Sequence, residues 1–286
     1  MASLKEVKSR ILSVESTKKI TVARQMISSA RLRYSQGILE TVILYQKELE
    51  AITAKLIDPQ NPLNHKIVNN REKGRIALVV MSSNSGMCGS FNAKMIKEVN
   101  NLSSQYPNDQ IVFIPVGKKI REALSRMGYP IVTNDDELAG KFSLSASAGF
   151  VDQLINLFCT QDIKKVLVVY YHYKSAATQL ITTEQLLPVL LPEPNPITFE
   201  NEADLYIFEP SREAILADML SLVIKSRFYV ALADQHTSEH GARTLAMQLA
   251  SENANDLLEE LRLSYNKLRQ QNITSELLDI IGGSFA

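Results

Sequence analysis

Cysteine is scarce in this chain, and its scarcity excludes two kinds of structure. Only Cys88 and Cys159 occur among the 286 residues, and two thiols build neither a disulfide framework nor a thiolate metal site. Long apolar runs are missing as well, because no stretch approaches the roughly 18 residues that a membrane-spanning helix needs. We therefore expect a chain that stays in a reducing compartment and does not cross a membrane.

Net charge is also lacking, since 31 Lys and Arg residues balance 31 Asp and Glu residues. This balance excludes a general polyanion binder, and the 45% hydrophobic content excludes wholesale disorder. The first 33 residues differ from the rest, because eight basic residues there face only Glu6 and Glu15. Early acidic residues without an apolar core argue against a signal or transit peptide. We expect this basic arm to bind an acidic partner.

Proline is absent from both ends of the chain. All ten prolines lie between Pro59 and Pro210, and proline breaks helix interiors, so segments 1–58 and 211–286 are free to form long helices. Between them, at 75–209, apolar β-branched runs alternate with helical stretches, a pattern typical of an α/β domain with a largely buried parallel sheet. The predicted strands are Arg75–Met81, Ile111–Ile114 and Lys165–Tyr171, and the predicted helices are Lys118–Met127 and Ala146–Cys159.

Both proline-free ends carry heptad spacing. In the first end, alternating steps of three and four give fourteen positions, eight of them apolar: Leu4, Val7, Ile11, Val14, Lys18, Thr21, Gln25, Ser28, Leu32, Ser35, Leu39, Val42, Gln46 and Leu49. In the second end, the same stepping gives Met247, Ala250, Ala254, Leu257, Leu261, Ser264 and Leu268. Such seams pair helices as coiled coils, and helices over 3–57 and 211–281 would measure roughly 80 and 105 Å.

We predict a long antiparallel coiled coil in which the N- and C-terminal helices pair, with a Rossmann-like α/β domain inserted between them. The alternative is that each end forms a kinked helix in a compact bundle. Gly241 and the polar stretch before it would mark such a kink.

Two histidines in the C-terminal segment suggest a zinc motif. His236-Thr237-Ser238-Glu239-His240 fits the H-x-x-E-H pattern of inverted zinc peptidases. Such a site needs a third ligand from another element, and neither His65 nor His172 has a recognisable ligand setting. The competing interpretation is a polar helix face in contact with solvent. We predict no metal site and no cofactor site.

A loop with two glycines follows the first predicted strand. It runs from Ser82 to Asn92 as Ser-Ser-Asn-Ser-Gly-Met-Cys-Gly-Ser-Phe-Asn, and the backbone amides of such a turn can hold a phosphate. It lacks the lysine of a P-loop and the three glycines of a dinucleotide motif. We interpret it as a structural corner between strand and helix, and we predict no active site in this chain.

Three separated segments resemble the gamma subunits of F-type ATP synthases, and together they cover the chain in order. Ser9–Thr21 with Met26–Leu32 resembles the family's N-terminal helix, and the loop from Ser82 to Asn92 is similar to its central loop. The most specific match lies in the C-terminal segment: Ser238-Glu239-His240, Arg243, Ala246-Met247, Asn253-Ala254, Leu257 and the run from Tyr265 to Leu277.

Several positions depart from the family's pattern. Arg24 stands where the family usually has Met, and Asn84-Ser85 where it has Asp-Arg. Ser90 replaces a usual Gly, and Gly283-Ser284 replaces a customary Gly-Ala. We expect local contacts, rather than family membership, to differ at these positions.

The resemblance implies a rotor shaft without an active site of its own. In the family, the coiled coil enters a ring of three alpha and three beta chains, and the α/β domain lies near the epsilon subunit and the c-ring. Turning of the shaft couples proton translocation to ATP synthesis or hydrolysis, at the cytoplasmic face of the bacterial inner membrane and without nucleic acid. The resemblance implies partner contacts at Arg24, Met26, Arg243, Arg269, Gln270, Thr274 and Glu276.

Two functions of other classes are open from the residues alone. One is a free-standing coiled-coil adaptor whose basic arm binds nucleic acid. That function needs aromatic or base-reading residues among the charges, and the arm has only Tyr34 at its end. The other is a zinc peptidase that uses His236 and His240.

Overall fold

In the part of the chain that the structure describes, two long helices bracket a four-stranded sheet and three shorter helices. The computed structural model describes residues 3–57, 67–106, 111–140, 143–190 and 208–284. In chain order the elements are α1 (Leu4–Leu56), β1 (Arg75–Met81), α2 (Phe91–Ser104), β2 (Ile111–Val116), α3 (Lys118–Met127), α4 (Leu144–Thr160), β3 (Ile163–Tyr173), β4 (Gln179–Leu187) and α5 (Arg212–Ser284). The predicted fold of two long terminal helices around an α/β domain is confirmed.

The chain divides into two compact units. The first unit combines Met1–Ser29 with Arg243–Ala286, and the second unit is Ala30–Ala242. Helices α1 and α5 each continue from one unit into the other. The division therefore falls inside the long helices, and the domain bounds 1–58, 75–209 and 211–286 stay a prediction.

Helix α1 begins with a capping box and follows the predicted seam. Ser3 Oγ accepts the Glu6 N–H at 3.2 Å, and the Glu6 carboxylate accepts the Ser3 N–H at 2.9 Å, which satisfies two donors at the helix start. Each of the fourteen seam positions from Leu4 to Leu49 is buried or half-buried. The heptad prediction for this helix is confirmed.

The predicted seam of the C-terminal helix is wrong at every second position. Met247, Ala254, Leu261 and Leu268 are buried or half-buried as expected, whereas Ala250, Leu257 and Ser264 are exposed. Their neighbours Ser251, Leu258 and Tyr265 are buried or half-buried instead. From Met247, a pattern that steps first by three and then by four residues and one that steps first by four and then by three have every second position in common. Because leucine occupies both 257 and 258, the apolar pattern did not separate the two alternatives.

The long helices run antiparallel within the second unit. Arg227 Nε lies 2.6 Å from Glu50 Oε1. Further along α1, the Leu56 carbonyl accepts from Arg212 Nε at 3.0 Å, so rising positions on α1 meet falling positions on α5. The prediction of an antiparallel pair is confirmed.

In the first unit, an ion pair also joins the two helices. Arg262 Nη2 lies 2.8 Å from Glu15 Oε1, with both side chains partly open to solvent. The pair brings the N-terminal part of α1 against the C-terminal part of α5.

Gly241 lies inside α5, which spans Arg212–Ser284 as one helix. A Cβ at Gly241 would lie 3.1 Å from the Tyr173 ring and 3.3 Å from the Ala176 Cα. The glycine therefore permits close approach of α5 to the end of β3.

The sheet is mixed, with strand order β2-β1-β3-β4. Strand β1 pairs in parallel with β2 and β3, whereas β4 pairs antiparallel with β3. The expected parallel sheet therefore holds for three strands and is wrong for β4. Only a short turn joins β3 to β4, in which the Thr178 N–H donates to the Ser175 carbonyl at 3.2 Å. A connection this short joins antiparallel strands, because a parallel crossover needs a dozen or more residues.

The sheet is covered on both faces. On one face, α4 and α5 contribute Phe150, Leu154, Leu220, Ile224 and Phe228 to an apolar cluster. On the other face, α2 and α3 contribute Phe91, Met95, Ile120 and Leu124. The N-terminal part of α5 therefore belongs to the core of the α/β part of the chain.

Candidate functional site

The seven predicted partner-binding residues all lie on the long helices and in the first unit. Arg243 is half-buried and the other six are exposed. We call them the partner-binding set: Arg24 and Met26 on α1, with Arg243, Arg269, Gln270, Thr274 and Glu276 on α5. Their part in binding stays a prediction.

The last part of α5 is exposed around its whole circumference. From Arg269 to Leu278, every side chain is exposed, and Leu277 and Leu278 are exposed by 54% and 63%. Thr274 Oγ1 donates to the Gln270 carbonyl at 2.9 Å, so that hydroxyl is used within the helix. Exposed leucines on an unpacked helix favour burial against another protein.

A groove of about 740 Å³ lies between the two helices of the first unit. Its lining is Glu15, Lys18, Lys19, Val22, Asn255, Leu258, Glu259 and Arg262. At the groove, the seam of α1 changes from apolar residues to Lys18. A charged lysine does not fill the space between the helices as an apolar side chain would. Both acidic and basic side chains line the groove, and this mixture of charges does not favour the binding of a simple anion.

A run of polar residues in the middle of α5 is buried. All seven side chains from Asp234 to His240 are at most 9% exposed. The interpretation of this stretch as a solvent-facing polar surface is therefore wrong. Helix α5 here lies against the carboxyl end of β3, and several of its polar groups bond the backbone of that strand.

Strand β3 extends beyond its partner β1, and α5 takes over as its partner. Pairing of β1 with β3 ends at Val80 and Val169. Beyond that point, Gln235 Oε1 accepts the Tyr171 N–H at 2.9 Å, and Ser238 Oγ donates to the Tyr171 carbonyl at 3.1 Å. Side chains of a helix thus satisfy backbone groups that a neighbouring strand would otherwise bond.

Asp234 extends this arrangement to the next two residues of β3, His172 and Tyr173. Its Oδ1 accepts the Tyr173 N–H at 2.7 Å, and its Oδ2 lies 2.6 Å from His172 Nδ1. Burial raises the pKa of the Asp234 carboxyl, while the bonds from Tyr173 and His172 act in the opposite direction. We call these contacts the junction: Asp234, Gln235 and Ser238 of α5 with Tyr171, His172 and Tyr173 of β3.

The described residues do not form the alternative zinc site. His236 Nε2 lies 2.9 Å from the Leu138 carbonyl oxygen, to which it donates, and His172 is engaged by Asp234. In the part of the chain that the structure describes, no three His, Cys, Asp or Glu side chains are grouped to hold a metal ion. His65 lies outside that part.

The loop from Ser82 to Asn92 uses its polar groups internally. Ser83 Oγ donates to the Ser85 carbonyl at 2.7 Å, and Asn92 Oδ1 accepts the Ser83 N–H at 3.3 Å. Gly117 lies beside the loop with φ 113°, and a Cβ there would stand 2.5 Å from the Ser82 carbonyl oxygen. These contacts support the interpretation as a structural corner between strand and helix.

The departure at Asn84 has a structural reason. Asn84 Nδ2 donates to the Asp136 carbonyl at 2.6 Å, and Asn84 Oδ1 accepts the Lys118 N–H at the start of α3 at 2.8 Å. An amide can do both, whereas an ionised aspartate only accepts. Asn84 therefore joins two segments that an aspartate would join by one bond only. Nothing in the structure explains Ser85.

Sequence reasoning missed the junction. A signal was present, because the run from Asp234 to His240 places seven polar residues in succession within a helix whose flanks keep an apolar face. Such a run needs partners on all sides when it is buried.

Taken together, the fold and these surfaces define a class of protein: a coiled-coil protein that carries an α/β domain fastened to one of its helices. The sequence profile of the ATP synthase family matches residues 3–286. The ATP synthase gamma chain of Bacteroides fragilis is 41% identical over 290 residues, and that of Phocaeicola vulgatus is 38% identical over 289, each alignment covering 100% of both chains. The chain belongs to the ATP synthase gamma chain family.

Solved structures share the fold. A chain of the Euglena gracilis mitochondrial ATP synthase, in a structure of OSCP, F1 and c-ring in rotational state 3, matches with a TM-score of 0.70 at 19% identity, covering 99% of this chain and 93% of that chain. A chain of the rotor from the same enzyme, in rotational state 1, gives 0.66 at 18% identity, covering 94% and 98%.

Proposed function

We propose that this chain is the central rotor shaft of an F-type ATP synthase. It couples proton translocation through the membrane sector to ATP synthesis or hydrolysis on the alpha and beta chains. The observation that carries the proposal is the full-length similarity to gamma chains, and the two long antiparallel helices fit it. Neither the nucleic-acid adaptor nor the zinc peptidase has comparable support.

A shaft without a nucleotide site acts through unequal contacts. It shifts a beta chain between open and closed states only by binding those states with different affinity. Two antiparallel helices have no threefold symmetry, so three beta chains around them meet different side chains at any one angle. The partner-binding set is divided between the two helices: Arg24 and Met26 lie on α1, and Arg243, Arg269, Gln270, Thr274 and Glu276 lie on α5.

The basic arm and the exposed end of α5 have complementary parts in this proposal. The arm, with Lys18 and Lys19 at the groove, faces an acidic hinge loop of the beta chains. The exposed Leu277 and Leu278 turn within the surrounding ring of three alpha and three beta chains, which removes their apolar surface from water.

The α/β domain contacts the epsilon subunit and the c-ring at the other end of the shaft. The complex holds the chain at the cytoplasmic face of the bacterial inner membrane, as a peripheral subunit without nucleic acid. In the described residues, no helix is both long and apolar enough to pass through a bilayer. Anchoring therefore rests on contacts with other subunits.

Reconstitution tests the proposal. Alpha and beta chains are combined with membrane vesicles that contain the membrane sector and epsilon, with or without this chain, and proton uptake is followed during ATP hydrolysis. We expect proton pumping only when the chain is present, and the chain should co-purify with alpha and beta chains in a defined ratio. Pumping that is the same without the chain, or a chain that does not enter the complex, would contradict the proposal.

A further inference from the structure

Helix α5 contacts the α/β domain in two physically different ways. Towards its N-terminus it packs through apolar side chains such as Leu220, Ile224 and Phe228. At the junction it is bonded to the backbone of β3 through Asp234, Gln235 and Ser238. The second kind of contact is thus made with the backbone of the strand rather than with its side chains.

The two kinds of contact resist movement differently. Apolar attraction is non-directional and roughly proportional to the buried area, so packed helices can slide by small shear movements at little cost. A hydrogen bond weakens steeply when its distance or angle departs from the optimum. Bonds to both the N–H and the carbonyl of Tyr171 therefore fix the rotation of α5 about its own axis as well as its position along β3.

Burial strengthens the junction. Gln235 is 3% exposed and Ser238 is fully buried, so water does not compete for their bonds, and a hydrogen bond in such surroundings is electrostatically stronger than in water. Positions 234, 235 and 238 share one side of the helix, since residues three and four apart are neighbours on a helix surface. They bond β3 at Tyr171 and Tyr173, about 7 Å apart along the strand.

We propose that the junction is the joint through which torque passes between the α/β domain and α5, with Asp234, Gln235 and Ser238 as its positioning residues. The inference rests on the proposed function, because such a joint has a role only in a rotating complex. Torque enters the chain at the α/β domain and leaves it through the long helices. The apolar contacts hold the two together, and the junction prevents one from turning against the other.

Amide hydrogen exchange on the full chain tests whether these bonds restrain β3. Gln235→Met keeps the side-chain volume and removes the acceptor for the Tyr171 N–H. We expect that amide to exchange about tenfold faster, as loss of one buried hydrogen bond predicts, while the amide of Val169 is unchanged. Equal exchange at Tyr171 in parent and variant would overturn the proposal.

The coupling test uses two serines of the same helix. Ser238→Ala removes a hydroxyl bonded to β3. Ser226→Ala is the matched control, because Ser226 is also buried, and its hydroxyl has no hydrogen-bond partner among the described residues. Protons pumped per ATP are measured in the assembled complex while the opposing proton gradient is increased. We expect Ser238→Ala to match the parent at low gradient and to lose coupling at high gradient, and Ser226→Ala to match the parent throughout.

Three results separate the possible failures. A parent chain that gives no coupling would refute the proposed function rather than the joint. A parental ratio for Ser238→Ala at every gradient would refute the joint alone, and so would a loss that is equal at low and high gradient, because that result indicates general loss of structure. If Ser238→Ala does not assemble, Gln235→Met is measured in the same way and decides by the same outcomes.

Discussion

At the residue scale, Leu257 and Leu258 are neighbours with opposite surroundings: Leu257 is 39% exposed and Leu258 is 5% exposed. Leu258→Asp buries a charge between the helices, and we expect it to lower the free energy of unfolding by about 3 kcal/mol or more. Leu257→Asp is the matched control and should cost less than about 1 kcal/mol. Chemical unfolding followed by circular dichroism measures both, and equal losses would show that Leu258 does not face α1.

Arg24 is the position where the chain departs from its family on the predicted contact surface, and it is exposed on α1. A guanidinium pairs with a carboxylate through charge-assisted bonds that methionine cannot make. Such a pair contributes about 0–1 kcal/mol in water and costs about 3–5 kcal/mol to break when enclosed. We expect Arg24→Met to change the ratio of protons pumped to ATP hydrolysed, or its dependence on salt.

The control for Arg24 is Arg33→Met, an exposed arginine on the same helix outside the partner-binding set. It should leave the ratio and its salt dependence at the parental values. If Arg24→Met behaves like this control at both low and high ionic strength, Arg24 is a solvated cation without a role in coupling.

Asp234 makes the stability of the folded chain depend on pH. Its pKa is raised by burial, so the folded chain holds this proton at a pH where the unfolded chain has lost it. Its contribution to stability therefore grows as the pH falls from the raised value towards the ordinary aspartate value of about 4, and is lost as the pH rises. As the pH falls through that window, we expect the unfolding free energy of the parent to rise relative to that of Asp234→Asn.

Chemical unfolding of both chains at a series of pH values checks this. His172 and Glu184 also act on the Asp234 carboxyl, so the measurement is repeated with His172→Gln in both chains to remove the imidazole from its surroundings. A difference that stays constant with pH in both backgrounds would rule out titration of Asp234 as its source.

Residue-level prediction from sequence failed where burial decided, and the residues taken from the family pattern stay a prediction. The partner-binding set came from the resemblance alone. The role of Asp234, Gln235 and Ser238 depends on β3 extending past β1, and no local pattern encodes how far two distant strands overlap. Polar residues in helices mostly face solvent, so the general rule gave the wrong surroundings for this run.

At the element scale, the end of α1 depends on a side chain from α5. Arg212 donates to the carbonyls of Lys55, Leu56 and Ile57 at 3.0 to 3.4 Å, where a helix leaves carbonyls without partners. We expect Arg212→Met to lower the free energy of unfolding by about 1–3 kcal/mol, as for bonds to a charged donor. Thermal unfolding of the full chain measures this loss.

Arg262→Met is the comparison, because it removes an equally charged side chain from the same helix. Arg262 is bonded to Glu15 in a pair open to solvent, and such pairs contribute at most about 1 kcal/mol. If Arg262→Met costs as much as Arg212→Met, the carbonyl bonds of Arg212 are not what stabilises the end of α1.

Element prediction depended on how distinct each periodic signal was. β-branched apolar runs indicated β1, β2 and β3, and the proline-free ends indicated α1 and α5. Strand β4 was missed because most of its residues are exposed or half-buried, with the pattern Gln-Leu-Ile-Thr-Thr-Glu-Gln-Leu-Leu, which carries little apolar signal. The seam of α1 was found in full because most positions of its alternative phase are polar, whereas α5 has leucine in both phases at 257 and 258.

At the scale of the whole molecule, we expect the purified chain to hydrolyse neither ATP nor peptides. The loop from Ser82 to Asn92 uses its polar groups in bonds within the chain, and the described histidines form no metal group. The measurement is turnover of ATP and of a casein substrate, with and without added zinc. Activity that survives rigorous purification and disappears with His236→Ala or Ser83→Ala would contradict the expectation.

The pairing of the two chain ends also sets the order in which the molecule can form during its synthesis. Arg262 follows its partner Glu15 by 247 residues, which a ribosome adds in about 12 to 50 s. For that time the N-terminal part of α1 has left the ribosome with its apolar seam uncovered. The strands β1 to β4 come from one contiguous stretch and can pair earlier, although their core is completed only by α5. The N-terminal part of α1 is thus made before β1 to β4 but can be packed only after them, which leaves its apolar seam open to aggregation during synthesis.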